Sequence, residues 1–160
     1  MTMDLWSKAF LAEEELMPLV RECLAAGRRV RYLPFRGVSM LPMLRQGIDT
    51  VEIAPLPQKL KKYDLPVYQY PSGKIVMHRV VGVRDDYYLC LGDNTYTYEK
   101  VTHDQMIGVV SAFKRGERRI EVSSPMYRIY CRSWVLLYPL RRFYKRGKSW
   151  IKSIVKQIVK

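Results

Sequence analysis

Apolar residues recur at helical spacing near the start of the chain. Between residues 4 and 26 they lie three or four positions apart, the period of a helix with one buried face. These positions are Leu5, Trp6, Ala9, Phe10, Leu16, Leu19, Val20, Cys23 and Leu24. Pro18 predicts a kink because proline lacks a backbone donor, and Gly27 is typical of the residue after a helix. We therefore predict that residues 1–27 form a helical segment packed on the rest of the protein.

From residue 28 to about residue 122 the pattern changes to short runs rich in Val, Ile and Tyr. The runs are RRVRYLPF, DTVEIAPL, DLPVYQY, KIVMHRVVGV, YYLCLG, IGVVSAF and RRIEV. Turn-forming stretches such as YPSGK, VRDD and LGDNT separate them. This texture predicts a mainly β domain over residues 28–122, with hairpins at QYPSGKIV and GVRDDYYL.

The residue pattern of the last part of the chain predicts a basic helical tail over residues 123–160. One helical face carries the apolar residues Trp150, Ile151, Ile154, Val155, Ile158 and Val159. Lysine recurs every four residues on another face, at Lys148, Lys152, Lys156 and Lys160. An amphipathic helix of this kind suits the headgroup region of an anionic bilayer. Packing on the protein and nucleic-acid binding are the alternatives, and the second is disfavoured because no helix-turn-helix pattern is evident.

Charge separates the tail from the rest of the chain. The 160 residues are enough for one domain with its own core, and they carry a net charge of +13. All 15 acidic residues lie at or before Glu121, and ten of the 28 basic residues follow it. The first 121 residues therefore carry only about +3, from 18 basic and 15 acidic residues, so the excess charge belongs to the tail.

The cysteines, the histidines and the length of the apolar runs limit the classes of protein to which the chain can belong. Cys23, Cys90 and Cys131 are scattered, which favours a reducing compartment over a disulfide framework. Two histidines and no Cys/His cluster disfavour a structural zinc site. The longest late apolar run, WVLLYPL, has seven residues, whereas a membrane span needs about 20. We expect a soluble or peripherally membrane-associated protein, on the cytoplasmic side.

A serine in an apolar, turn-prone setting is the first candidate for chemistry. Ser39 lies in RGVSMLPMLRQG, and a neutral hydroxyl needs a neighbouring base to become a nucleophile. His78 is the candidate base, since strand alternation places it on one face with Val76 and places Ile75 and Met77 on the other. Lys74 is the rival base. Each of these residues alone is commonly structural; their combination predicts a nucleophile and its base.

Four short motifs resemble those of the signal peptidase I clan, the serine proteases that remove export signals, and of their LexA-like relatives. The nucleophile motif G-x-S-M-x-P-x-L-x-x-G is similar to residues 37–47. The base motif resembles VMHRVVGV, the third resembles Gly92, Asp93 and Asn94, and the last resembles MIGVVSAF. All four occur in family order over roughly residues 30–115. The resemblance implies a signal peptidase/LexA-like β-fold and a serine endopeptidase without metal or cofactor.

The resemblance also implies roles for individual residues. A histidine at the base position is similar to the endoplasmic-reticulum and archaeal branch, which implies a Ser39–His78 dyad. An aspartate assists in that branch, so Asp93 is favoured as the supporting carboxylate, with Glu99 second; Asp93 can also be a turn-capping residue. The backbone N–H of Ser39 is the expected oxyanion donor, and Met40 and Pro42 are expected to contact substrate.

The expected substrate is a peptide or protein with a leader or signal-like segment, cleaved at an anionic membrane surface. Signal peptidases normally carry an N-terminal membrane span, and no stretch here has that length. The tail is the expected membrane contact instead, through Trp150, Lys152 and Lys156. A LexA-like regulator that cleaves itself and a catalytically inactive binding module remain as alternatives.

Overall fold

The computed structural model describes residues 2–4, 13–32 and 37–145. Over these residues the fold is mainly β, as the sequence predicts. Its elements are β1 (Thr2–Asp4), α1 (Glu13–Ala25), β2 (Arg29–Tyr32), β3 (Thr50–Ala54), β4 (Pro66–Gln69), β5 (Ile75–Met77), β6 (Arg79–Val83), β7 (Tyr88–Leu91), β8 (Glu99–Val101), a short 3-10 helix (His103–Gln105), β9 (Met106–Arg115), β10 (Arg118–Glu121) and α2 (Pro125–Leu136). Residues 138–145 are also helical.

The strands form two sheets, and β9 is the centre of the larger one. This sheet has the order β1-β2-β3-β9-β4-β5, with β10 also paired to β9. β9 has ten residues, so it can pair with β3 on one side and with both β4 and β10 on the other. The second sheet has the order β6-β7-β8. The predicted hairpins are confirmed as the antiparallel pairs β4–β5 and β6–β7.

The N-terminal segment differs from the prediction at its start. Residues 2–4 form a strand that pairs in parallel with β2, so Asp4 lies in a sheet and not in a helix. The helix α1 runs from Glu13 through Pro18 to Ala25, and residues 5–12 lie outside the described part of the chain. The apolar face of α1 is buried in the main core through Leu16, Met17, Val20, Cys23 and Leu24.

His78 lies where the chain passes from one sheet to the other. The run KIVMHRVVGV, which the sequence presents as one strand, is divided into β5 in the large sheet and β6 in the small one. Its predicted alternation is confirmed: Ile75 and Met77 lie in the main core, while Val76 packs against a second cluster that contains Tyr68. At this crossing His78 is buried and lies beside Tyr68 of the second cluster.

The C-terminal helices pack on the β-domain through one face. Tyr127 and Cys131 of α2 belong to the main core, and Tyr138 is buried further along. The core therefore includes residues beyond the predicted boundary at 122. Among the described residues, no helix has the length and hydropathy needed to cross a membrane. Residues 146–160, which include the predicted membrane contacts Trp150, Lys152 and Lys156, lie outside the described residues.

Candidate active site

Ser39, His78 and Glu99 line one cavity of about 320 Å³. They come from three separate places in the chain: the loop over residues 37–49, the crossing between β5 and β6, and the start of β8. Met40, Tyr70 and Lys74 also line the cavity, with Gly37, Leu44, Arg45, Gln46, Ile75, Val76, Met77 and Thr95. The fold thus brings a hydroxyl, an imidazole and a carboxylate to one concave surface.

The imidazole of His78 is held by two partners on one ring nitrogen. Nδ1 lies 2.9 Å from Oε2 of Glu99 and 3.1 Å from the hydroxyl of Tyr68, and the side chain is only 6% exposed. Because Nδ1 faces a carboxylate, we assign the proton of the neutral ring to Nδ1. The tautomer with Nδ1–H has its free lone pair on Nε2, so Nε2 is the nitrogen that can accept a proton.

Glu99 is an ionised carboxylate at neutral pH. Partial burial raises its pKa, but hydrogen bonds from His78, Tyr68 and Tyr70 outweigh burial and bring the pKa of Glu99 down to about 2. The Tyr68 hydroxyl donates to Oε2 of Glu99. Burial, together with the hydrogen bond to Glu99, raises the pKa of Tyr68, so this side chain stays a hydroxyl donor. The anionic group next to His78 would stabilise an imidazolium ion.

Ser39 is half-buried in a loop whose apolar side chains anchor it. Met40, Met43 and Leu44 are buried in the main core, so the residue before them is held at the cavity. The hydroxyl of Ser39 forms no hydrogen bond with another described residue. Catalytic hydrogen bonds are often long or poorly aligned without substrate.

The backbone at Gly37 explains why a glycine precedes the serine. Its φ is +152°, a conformation that residues with a side chain rarely adopt. Its N–H donates to Oε1 of Gln46, at 3.1 Å, which closes the loop on itself. A residue with a side chain at position 37 would strain this loop.

Asp93, the favoured supporting carboxylate, lies elsewhere in the structure. Its Oδ1 and Oδ2 accept from Arg79 Nε at 2.9 Å and Nη2 at 2.7 Å, and both residues are buried. The hydroxyl of Tyr130 donates to Oδ2 as well. The expectation that Asp93 orients His78 is corrected: Glu99 contacts the imidazole, and Asp93 neutralises the next residue, Arg79. The side chains of His78 and Arg79 point in different directions, so each meets a different carboxylate.

The turn that contains Asp93 holds the loop of Ser39. The backbone N–H of Asn94 donates to the carbonyl of Ser39 at 2.7 Å, and its side-chain amide donates to the carbonyl of Val38 at 3.1 Å. This contact requires glycine at position 92, because a Cβ there would lie 2.8 Å from the carbonyl oxygen of Ser39. The Gly92–Asn94 turn therefore positions the serine through the backbone.

The other predicted residues fall in different places. Met40 lines the cavity, whereas Pro42 is exposed and is not among the lining residues. Lys74 lines it from the exposed β4–β5 turn. The second histidine, His103, was not a predicted site residue; it lies on the 3-10 helix with its Nδ1 3.4 Å from the hydroxyl of Tyr88. Over residues 2–4, 13–32 and 37–145, no group of three or more His, Cys, Asp or Glu side chains is arranged to bind a metal ion.

Tyr68 is a functional candidate that the sequence did not reveal. It is fully buried, and a buried tyrosine hydroxyl needs a partner. A usable signal was its position in the predicted strand DLPVYQY, next to the strand that carries His78. The register confirms this, with Tyr68 opposite Val76. The predicted hairpin at QYPSGKIV pairs the two strands, but no sequence pattern distinguished Tyr68 from the other 11 of the 12 tyrosines.

Comparisons with known proteins add no assignment. No protein-family model matches the chain, and no curated protein matches it. The four sequence motifs and the geometry of the cavity are the observations that bear on its function.

Proposed function

We propose that the protein is a serine endopeptidase of the signal peptidase type, which cleaves a leader or signal-like segment from a peptide. One observation supports this most strongly. Ser39, His78 and Glu99 are distant in sequence but line the same cavity, and Glu99 lies 2.9 Å from Nδ1 of the histidine. Acyl transfer needs a nucleophile, a base and an acid that orients the base, and these three residues would fill those roles in that order.

The proposed reaction has two acyl-transfer steps. The Oγ of Ser39 attacks the scissile carbonyl carbon while Nε2 of His78 takes the hydroxyl proton. The same nitrogen then donates that proton to the leaving amine, and water hydrolyses the ester in the second step. Glu99 stabilises the imidazolium that forms between the two transfers. The backbone N–H of Ser39 is the proposed donor to the oxyanion.

Lys74 is the competing base because it lines the same cavity. A lysine acts as a base only where burial or nearby cations favour its neutral form. Lys74 is exposed, whereas His78 is buried and already oriented by Glu99. The geometry therefore favours His78.

The test is cleavage of leader-like peptides with Ala-x-Ala ends, with products identified by mass spectrometry. We expect the Ser39→Ala and His78→Ala variants each to lose about 10³-fold or more in kcat, because members of such a group act together. Lys74→Ala tests the competing base and should keep the wild-type kcat, because Lys74 takes no proton in the proposed reaction. Circular dichroism and thermal unfolding establish that each variant is folded.

Full activity in both Ser39→Ala and His78→Ala would refute the proposal. If Lys74→Ala lost activity and His78→Ala kept it, the lysine would be the base. Intact-mass measurement of the purified protein after long incubation separates the self-cleaving regulator, which would yield two fragments with Ser39 present and none in Ser39→Ala.

A further inference from the structure

The C-terminal helices present two faces of different character. Their inner side packs on the protein through Tyr127, Cys131 and Tyr138, all buried. The opposite side carries large apolar side chains that face solvent. We call these residues the outer stripe: Met126, Ile129, Leu136, Leu137, Leu140, Phe143 and Tyr144. Met126 and Ile129, Leu136 and Leu140, and Leu140 and Phe143 are each three or four positions apart, so the members of each pair lie on the same side of the helices.

The outer stripe is too exposed to be part of the core. Leu136 and Phe143 are each 79% exposed, and Leu140 is 66% exposed. Single exposed apolar residues are ordinary, but a contiguous set marks a surface for a partner or a membrane.

The charge beside the stripe is of one sign. Arg128, Arg132 and Arg142 are exposed on the same helices, and no Asp or Glu follows Glu121. Arginine and lysine can lay their apolar stems along such a surface while their charged ends reach anionic groups. The partner should therefore combine an apolar interior with a negative surface.

We propose that the outer stripe docks on an anionic lipid bilayer, with its apolar side chains among the acyl chains and the basic residues at the headgroups. A second copy of this chain fits the surface less well, because docking through it would bring two sets of cations together. Nucleic acid fits less well because phosphates would face leucine and phenylalanine.

The inner face links this surface to the candidate active site. Nε1 of Trp134 donates to the backbone carbonyl of Asp93 at 3.0 Å, and Nη1 of Arg141 donates to the same oxygen at 2.8 Å. Asp93 lies in the turn that holds the carbonyl of Ser39. Docking would thus fix the cavity at one orientation relative to the bilayer. This consequence rests on the proposed peptidase function, whereas the docking itself does not.

The test is co-sedimentation of the full chain with vesicles of phosphatidylcholine alone and of phosphatidylcholine mixed with phosphatidylglycerol. We expect binding to the anionic vesicles that weakens with salt. The double variant Leu140→Asp, Phe143→Asp should bind at least about tenfold more weakly, because two large apolar side chains no longer leave water. Ile48→Asp is the control, since Ile48 is an exposed apolar residue outside these helices, 58% exposed, and it should bind like wild type.

Equal binding by the double variant and the wild type would overturn the proposal. The proposal would also be overturned if Trp150→Asp lost binding while the double variant bound like the wild type. That result would place the membrane contact in the segment after residue 145. A dimer in sedimentation velocity that the double variant abolishes would make the occupant a second copy. Vesicle binding is also measured for Ser39→Ala, and cleavage of a soluble peptide is measured without vesicles. Failure of docking and failure of the peptidase proposal are then separate results.

Discussion

His78 and Arg79 are neighbours in the chain but serve different parts of the molecule. The side chain of His78 faces Tyr68 and Glu99 at the cavity, while that of Arg79 faces Asp93 and α2. A strand directs successive side chains to opposite faces, and both residues lie where the chain changes sheets. One dipeptide thereby contributes both a candidate base and a buried structural charge.

At this scale we predict that Glu99→Gln lowers kcat by about 10²- to 10⁴-fold with little change in KM, since the amide cannot stabilise the imidazolium. Tyr68→Phe should cost about tenfold, the worth of one hydrogen bond. Steady-state kinetics with a cleaved peptide gives both values. Asp104→Asn, an exposed acid next to His103, is the control. A change in KM alone in Glu99→Gln would assign this carboxylate to substrate binding instead.

Glu52 connects three strands of the large sheet. It lies on β3 and is buried, and it accepts from Arg31 of β2 at 3.0 Å and from Arg119 of β10 at 3.0 and 2.8 Å. Hydrogen bonds from Arg119 outweigh burial and, with those from Arg31, bring the pKa of Glu52 to about 2 from an ordinary 4.5. The paired charges tie β2 and the edge strand β10 to β3.

We predict that Glu52→Gln lowers the free energy of unfolding by about 1–2 kcal/mol at pH 7. Because the folded pKa lies below the unfolded one, the stabilisation by the carboxylate is complete above about pH 4.5 and is lost as pH falls toward 2. The difference between wild type and variant in urea unfolding should therefore shrink across that range. Glu117→Gln, at an ion-paired side chain that is 98% exposed, should change stability little at any pH. A difference that stays constant with pH would contradict the assignment.

The Arg79–Asp93 ion pair joins the parts of the whole molecule. Arg79 of β6 reaches Tyr127 and Cys131 of α2 at 2.8 and 2.9 Å, and the sulfur of Met43 in the loop of Ser39 at 3.1 Å. Asp93 also belongs to the turn whose residue Asn94 donates to the carbonyl of Ser39. The small sheet, the C-terminal helix and the loop of Ser39 therefore meet at one buried charge pair.

Removal of one partner should destabilise the whole fold. We expect Asp93→Asn to cost about 3–5 kcal/mol of folding free energy, because the buried guanidinium is left uncompensated. Thermal and urea unfolding measure this, and the double variant Arg79→Met, Asp93→Leu should recover part of the loss. Peptide cleavage per folded molecule should remain near wild type in Asp93→Asn. If Asp93→Asn kept normal stability but lost cleavage, Asp93 would have a catalytic role.

Local patterns in the sequence determined much of this protein. Short runs bounded by turn residues predicted β2, β3, β4, β7, β9 and β10, and predicted β5 and β6 as a single strand. Strand alternation and turn chemistry are properties of neighbouring residues, which is why the sequence reveals them. The nucleophile and base candidates also came from short motifs, and the structure places both at one cavity.

Only the tertiary structure decided which carboxylate meets His78. Asp93 and Glu99 lie six residues apart, and spacing could not show that a break between β5 and β6 turns His78 toward β8 and Arg79 toward Asp93. The strand β1, three residues long, exists only because β2 supplies its hydrogen bonds. Burial of α2 likewise depends on residues distant in sequence. Pairing, side-chain direction and burial are relations between distant segments, and no local pattern contains them.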